Sequence, residues 1–514
     1  MNLYNIRSSD MSTAIPWFGG KKLTVIHWNK LAKLFGRIVT AINLGMNIAV
    51  AQVGFLDAYR AHIVNAITGR KYGFAEATKA AGIVSAHIFK NLLGANYIAN
   101  RLSNDKLMLI CEYFNVSDQG EKKAKHSNRN RLVNAVNDNY VFGMLSGFDF
   151  LVKSQIATSV LLSYRYYKGE FCTKEDMDIN LFKASKEEKK QAMKEWRRGK
   201  TAYSILSAKD NSLNVENEYK EAFERSENIM RNRIIKYSES ADGMMTPTQK
   251  AQITTTVIGS YAMIHRQYAP LMMSERFGNT VYDMDTQQMD GGIFRSGVKG
   301  FYYIARTLAK FLSGSVVNMS VKKGYVDAKD YYNSKFNNKD SIKDYMESRY
   351  INYATKRIIT EIAVGKTISI FASIIANSAK DETDKDKRRQ LYLLAYIIHR
   401  LEWESLTPYR ADDMFNNIKS PTAATSVTDK IGDVSEAFMR TYFPSMSNSL
   451  YDTFQNTKTQ NKYNPTVSRG EYKGWSKTNK ALFKLLPYHN FYEQVYGSEA
   501  KDRYFVNQIM KQND

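Results

Sequence analysis

The chain has 514 residues, too long for one ordinary hydrophobic core, and two to four helical subdomains are expected. Its two cysteines, Cys111 and Cys172, are far apart in sequence, which excludes a disulfide framework or a cysteine-based zinc cluster built from this chain alone. A formal charge of +22 biases the surface toward polyanions or an acidic partner, and only 8 prolines leave few helix breakers.

The first residues, "MNLYNIRSSDMSTAIPWFGGKKLT", carry neither the compact apolar core nor the small-residue cleavage pattern of a secretory signal, so no export signal is expected. Apolar helical blocks are predicted over Leu23 to Leu93, Tyr140 to Tyr167, Ala251 to Met273, Ile358 to Ala379 and Leu391 to Leu401. Within the first, Ile38 to Leu56 is a run of nineteen uncharged residues, just long enough to span a hydrocarbon layer as a helix. Against spanning, Asn43, Asn47 and Gln52 would each need a partner in lipid. Ala41, Gly45 and Ala49 recur every four residues and offer a close-packing face, so a buried helix is the expectation.

Charged stretches separate the blocks at Gln119 to Arg131, Lys183 to Lys200 and Lys380 to Arg389, and read as solvated connectors or faces. In the second of these Glu187 lies three residues before Lys190, a spacing at which opposite charges support an exposed helix. Between two blocks, "SYRYYKGEF" (Ser163 to Phe171) alternates aromatics with Arg165 and Lys168. That run is either the amphipathic end of a core helix or a surface for stacking bases and holding phosphates.

The stretch "YAMIHRQYAPLMMSERFG" (Tyr261 to Gly278) predicts a kinked core helix. Ile264, Tyr268 and Leu271 share a face, Pro270 removes one helical hydrogen bond, and Phe277 and Gly278 form a stop. Its arginines are expected to fork onto carboxylates or free carbonyls, with Asp283 and Asp285 as partners for Arg276. From Asn279 to Ser296 the apolar spacing shortens toward two residues and "DGG" tolerates positive φ, which predicts one small β-hairpin near residues 279–296 in an otherwise all-α chain. The expected organisation is an apolar helical region over 1–118, a charged helical region over 119–245, the kinked helix with its hairpin over 246–300, and a helical region with an extended polar tail over 301–514.

None of the seven histidines sits in HExxH, and the chain lacks G-x-x-x-x-G-K-[ST], GxGxxG and GxSxG. Acid pairs such as Asp412 and Asp413 are as common at helix starts as in active sites. No catalytic residue, metal or cofactor is therefore assigned, and the chain is expected not to be an enzyme. The candidate partner or anion contacts are His265, Arg266, Arg276, Arg165 and Lys168.

Three segments resemble, in order, parts of the very large internal virion proteins of crAss-like tailed phages. They are "YAMIHRQYAPLMMSERFGNTVYDMDTQQMDGGIFRS", "MFNNIKSPTAATSVTDKI" (Met414 to Ile431) and "YKGWSKTNKALFKLLPYHNFYEQVY" (Tyr472 to Tyr496), and together they cover about residues 250 to 510. Because such proteins are usually far longer, the resemblance places this chain at their C-terminal region. It implies a structural or cargo protein held in the tail lumen or capsid interior and sent with the genome into the host envelope or cytoplasm. Implied partners are tail, portal or further cargo proteins, double-stranded DNA bound non-specifically, and the host membrane during ejection. Two alternatives rest on the residues themselves. The charge and "SYRYYKGEF" suit a nucleic-acid-binding accessory to a phage polymerase, while Ile38 to Leu56 and Thr360 to Ala379 suit a membrane-active ejection or pore protein.

Overall fold

In the computed structural model, residues 12–16, 22–27, 48–92, 106–116, 143–210, 212–242, 268–317, 320–336, 341–406, 430, 432–437, 466–468, 472–484 and 489 are described. The fold is mainly α-helical, with short antiparallel strand pairs. The first pair joins β1 (Ser12–Pro16) to β2 (Lys22–His27), so the start of the first apolar block is strand rather than helix.

Helices α1 (Ile48–Thr68), α2 (Phe74–Leu92) and α3 (Lys106–Tyr113) surround α4 (Gly143–Ser163) together with a later long helix over Lys220–Asp242. Every residue from Val152 to Tyr164 is buried, which is the position a helix apolar on all sides must take. Ile110, Phe114, Ile156, Val160, Phe223 and Ile234 meet in one core, and its members run from Ala58 to Ala241. The 1–118 and 119–245 segments both contribute to it. Of the long uncharged run, residues 38–47 lie outside the described residues. From Ile48 onward the run is helical, and Val53 is buried against Ile397, a packed interior position as expected for that part.

The aromatic run that follows α4 is not the end of a helix. It is a hairpin of β3 (Arg165–Tyr167) and β4 (Glu170–Cys172), turned by Lys168 and Gly169 at φ 49° and 91°. Positive φ at both central residues matches the right-handed twist of the strands, and the Lys-Gly pair supplies it. Next come α5 (Lys174–Asn180), α6 (Lys186–Arg198) and the single turn α7 (Ala202–Ile205). As read from its charge pattern, α6 is a solvated helix. It starts with a Ser185–Glu188 capping box and buries only Ala192 and Trp196. A third hairpin, β5 (Leu206–Lys209) with β6 (Ser212–Val215), leads through a short 3-10 turn into α8 (Lys220–Asp242).

Helix α9 is described over Tyr268–Phe277 and stops at Gly278 as expected; the residues on the N-terminal side of Pro270 that would decide a kink lie mostly outside the described residues. Ile264 lies outside the described residues, as do the side chains of Tyr268 and Leu271. The hairpin expected after it is present, with β7 (Val281–Asp283) pairing β8 (Gln288–Asp290) in the register Tyr282 to Met289. Its "DGG" glycines, at φ 78° and 63°, follow β8 and turn the chain into α10 (Ile293–Val317). Helix α11 (Val321–Phe336) returns along α10, and α12 (Ile342–Asp381), 40 residues and so about 60 Å long, crosses beneath them. The predicted connector Lys380 to Arg389 is mostly helix. Only residues 382–384 separate α12 from α13 (Lys385–Leu406), which packs back on it through Ala376, Ala379, Tyr392 and Ala395. A short helix, α14 (Lys477–Lys484), lies in the third resembling segment.

At the α10–α12 crossing a Cβ on Gly300 would overlap Thr355 Oγ1 and press on Ile351. Gly300→Ala is therefore expected to cost about 1 to 3 kcal/mol through overpacking, read as a lower urea midpoint, whereas Gly82→Ala in open space should not destabilise.

Candidate functional site

A hydrophobic fold buries charge only where the charges find each other, and here α1, α5, α8, α9, α12 and the β7–β8 hairpin deliver twelve ionised side chains to one region. Arg70 follows Gly69, which ends α1 in left-handed backbone. Its Nε donates to Glu175 Oε1 at 2.9 Å and its Nη2 to the Met289 carbonyl at 2.6 Å. The guanidinium lies over the rings of Tyr350 and Tyr353, at 4.9 and 4.8 Å. Asp176 is the third residue of α5 and accepts from its N-cap, Thr173. The same carboxylate takes a two-pronged bond from buried Arg233 at 2.8 and 3.0 Å.

On α8, Arg233, Lys236 and Tyr237 share one face by their three- and four-residue spacing. Arg233 Nε also donates to the Thr286 carbonyl, Lys236 bridges Asp283 and Asp290, and Tyr237 donates to Gln288 Oε1 at 2.6 Å. Gln288 donates in turn to Glu175 at 2.9 Å. The small hairpin is thus fastened at its turn, along both strands and through its backbone.

A second knot adjoins the first on α12, where Tyr350, Tyr353, Arg357 and Glu361 recur on one side of the helix. Arg276 donates to Glu361 Oε2 at 2.9 Å, and Arg357 reaches Glu361 Oε1 and Glu275 Oε1, each at 2.8 Å. Six cations (Arg70, Lys71, Arg233, Lys236, Arg276, Arg357) face six carboxylates (Glu175, Asp176, Glu275, Asp283, Asp290, Glu361), so the cluster is neutral in a chain of charge +22.

Protonation follows from this pairing. Burial alone would raise the Asp176 and Asp290 carboxyls, yet Arg233 and Lys236 hold them below the usual carboxylate range. Lys71 is lowered to about 8, first by burial and then by the neighbouring Arg357, with its Nζ 4.7 Å from the centre of the Tyr237 ring. Nearby on α1, burial lowers His62 to about 4. Its Nδ1 meets the Tyr72 hydroxyl at 2.7 Å, and its Nε2 has no partner among the described residues. Perturbed groups of this kind gather at reactive sites and in structural ion-pair networks alike. Here each carboxylate of the cluster already answers a cation, which makes the network a clasp holding the hairpin and α9 to the helical body. Among the described residues no group of three or more His, Cys, Asp or Glu side chains is placed to share a metal ion.

Of the residues singled out in the sequence, His265 and Arg266 lie outside the described residues. Arg276 does not fork onto Asp283 or Asp285. It pairs with Glu361, 85 positions along the chain, while Asp283 is taken by Lys236 and Thr286. The physical reason is direction: Arg276 closes the last turn of α9 facing α12, and its guanidinium rests over Phe294 at 5.3 Å. Arg165 donates to the Arg197 and Gly199 carbonyls and so satisfies the C-terminus of α6. Lys168 is exposed at the β3–β4 turn, over the Tyr167 ring. Tyr166 and Phe171 pack into the main core, so these aromatics of "SYRYYKGEF" are not laid out as a flat stacking platform.

Sequence reasoning missed Arg70, Asp176 and Arg233. The available signal was a charge inside an apolar run, as in "NIMRNRIIKY", where Arg233 sits between Met230 and Ile234. Comparison with protein-family models, curated proteins and solved structures finds no match to this chain.

Proposed function

We propose that this chain is a non-enzymatic internal or tail-associated phage virion protein, packaged as cargo and ejected with the genome. The observation that carries the reading is the ordered recurrence of three segments over residues 250 to 510 that resemble the internal virion proteins of crAss-like phages. Two features support it. Cys111 and Cys172 are both buried thiols, and the pieces are clasped by ion pairs and helix packing, contacts that can open and reform when a chain is threaded through a narrow channel. Since the clasp is neutral, the whole excess of +22 lies elsewhere in the chain, which suits packing beside DNA or an acidic tail lumen. Partners on this reading are tail, portal or further cargo proteins, and the location is the particle, then the host envelope or cytoplasm. Mass spectrometry of purified particles tests it: the chain should be recovered from them, and its absence would overturn the proposal.

A nucleic-acid accessory role is the second reading, favoured by the same unbalanced charge. Binding to double-stranded DNA is expected to be non-specific and to weaken steeply as salt rises, because counterion release supplies the affinity. Titrations of unrelated duplexes across salt concentrations measure this, and a sequence preference that survives high salt would contradict it.

A further inference from the structure

We infer that the outward side of α10 is a docking surface for an anionic lipid bilayer. Successive residues of a helix advance by about 100°, so the sides of α10 can be assigned residue by residue. One side is taken by the protein: Gly297 meets Ile358, Gly300 meets Thr355, and Tyr303 packs edge-on to Phe336 of α11. The flank beside it carries Val298, Phe301, Ile304, Leu308 and Leu312, exposed by 65, 39, 45, 57 and 53%. Their three- and four-residue spacing makes one continuous apolar stripe of a kind that water-facing helices do not keep.

Charge identifies what covers this stripe. Arg295, Lys299, Arg306 and Lys310 form a line along one edge of it, all exposed, and the 25 residues of α10 include no Asp or Glu. Lys299 shares its charge with Glu347 of α12, but Arg295 bonds the neutral Asn279 amide and Arg306 the Tyr302 hydroxyl, so both keep theirs. Tyr302 falls on the border between apolar stripe and basic line, the level at which an aromatic alcohol sits between acyl chains and headgroups. A bilayer containing anionic lipid offers the complementary order, an apolar layer edged by negative charge, and long basic side chains reach back to it. An antiparallel pairing of two copies through this face does not, because it would set basic line against basic line.

The geometry describes a helix lying in the plane of the membrane surface. It is distinct from a span: α12 contains a window long and apolar enough to cross a membrane by length and composition, 22% of it buried, yet that helix holds Glu361 between two arginines and packs Ala376 and Ala379 against Tyr392 and Ala395. The inference stands apart from the virion reading, since particle composition and vesicle binding are measured separately.

The test is flotation of the full chain with phosphatidylcholine vesicles, with and without phosphatidylglycerol. The chain should float with the anionic vesicles, lose binding as salt rises, and remain in solution with the zwitterionic ones. Phe301→Asp with Leu308→Asp should reduce the bound fraction roughly tenfold or more, and Arg306→Glu with Lys310→Glu should do likewise. Met284→Asp, at a residue 79% exposed on the β7–β8 turn, should change nothing. In case the acidic variants fold poorly, Ala305→Cys carrying a polarity-sensitive dye reads the same face in an otherwise unaltered chain, the native cysteines being buried. A blue shift with anionic vesicles supports the inference. Flotation that is indifferent to phosphatidylglycerol or to the aspartates, a dye that does not respond, or self-association abolished by the aspartates in place of vesicle binding would each overturn it.

Discussion

Glu361→Ala is expected to lower the unfolding free energy by roughly 3 to 5 kcal/mol, because it removes the carboxylate that two buried guanidinium groups share. Glu361 accepts from Arg276 on one oxygen and from Arg357 on the other, and both arginines are buried. Arg357 keeps Glu275, while Arg276, packed against Phe294, loses its bond to Glu361. Arg276→Met should cost less, since Glu361 retains Arg357 and the methionine fills space beside Phe294. The double variant Arg276→Met with Glu361→Leu should recover stability relative to Glu361→Ala, as apolar replacement of a buried pair commonly does. Urea titrations of the helical circular dichroism signal, compared at equal slope, measure the series. If Glu361→Ala shifts the midpoint no further than Glu218→Ala on the exposed side of the chain, the network contributes nothing and the clasp is misassigned.

What was legible in the sequence divides along a physical line. Local signals survived folding: few breakers and alternating apolar and charged runs marked helices, "DGG" with two-residue spacing marked the β7–β8 hairpin, and Glu187 three residues before Lys190 marked a helix that stayed solvated. Long-range pairings did not announce themselves. Nothing near Arg276 distinguishes Asp283 from Glu361, because the choice is made by how α9 packs on α12, and sequence spacing does not encode that direction. The β3–β4 hairpin was hidden for a related reason: after an all-apolar helix, "YRYYKGEF" fits a helix end by period, and only the positive φ of Lys168 and Gly169 separates the two. The side of α10 is the subtlest case. Its stripe is readable as a stripe, but periodicity cannot say whether a neighbour covers it, and the exposure of Leu308 and Leu312 is information the fold alone supplies.

Acid should destabilise the chain in two stages set by different groups. His62 has a folded pKa of about 4 against 6.5 when free, so between those values the unfolded chain binds a proton that the folded chain refuses. Its contribution is complete above pH 6.5 and is lost as the pH falls toward 4, a change of about 3 kcal/mol at 1.4 kcal/mol per tenfold change in proton affinity. The carboxylates come second. Asp176, Asp283 and Asp290 are held below the ordinary carboxylate range, so their contribution is present above about pH 4 and disappears as the pH drops through their folded values. His62→Gln removes the titrating group and should flatten the first stage while leaving the second. Asp176→Asn should behave in the opposite way: it loses the ion pair with Arg233 at neutral pH, and its deficit relative to the unaltered chain should shrink in strong acid, where Asp176 is itself neutral. Urea midpoints measured from pH 7 down to about pH 1 separate the two, and a first stage that persists in His62→Gln would assign it to another group.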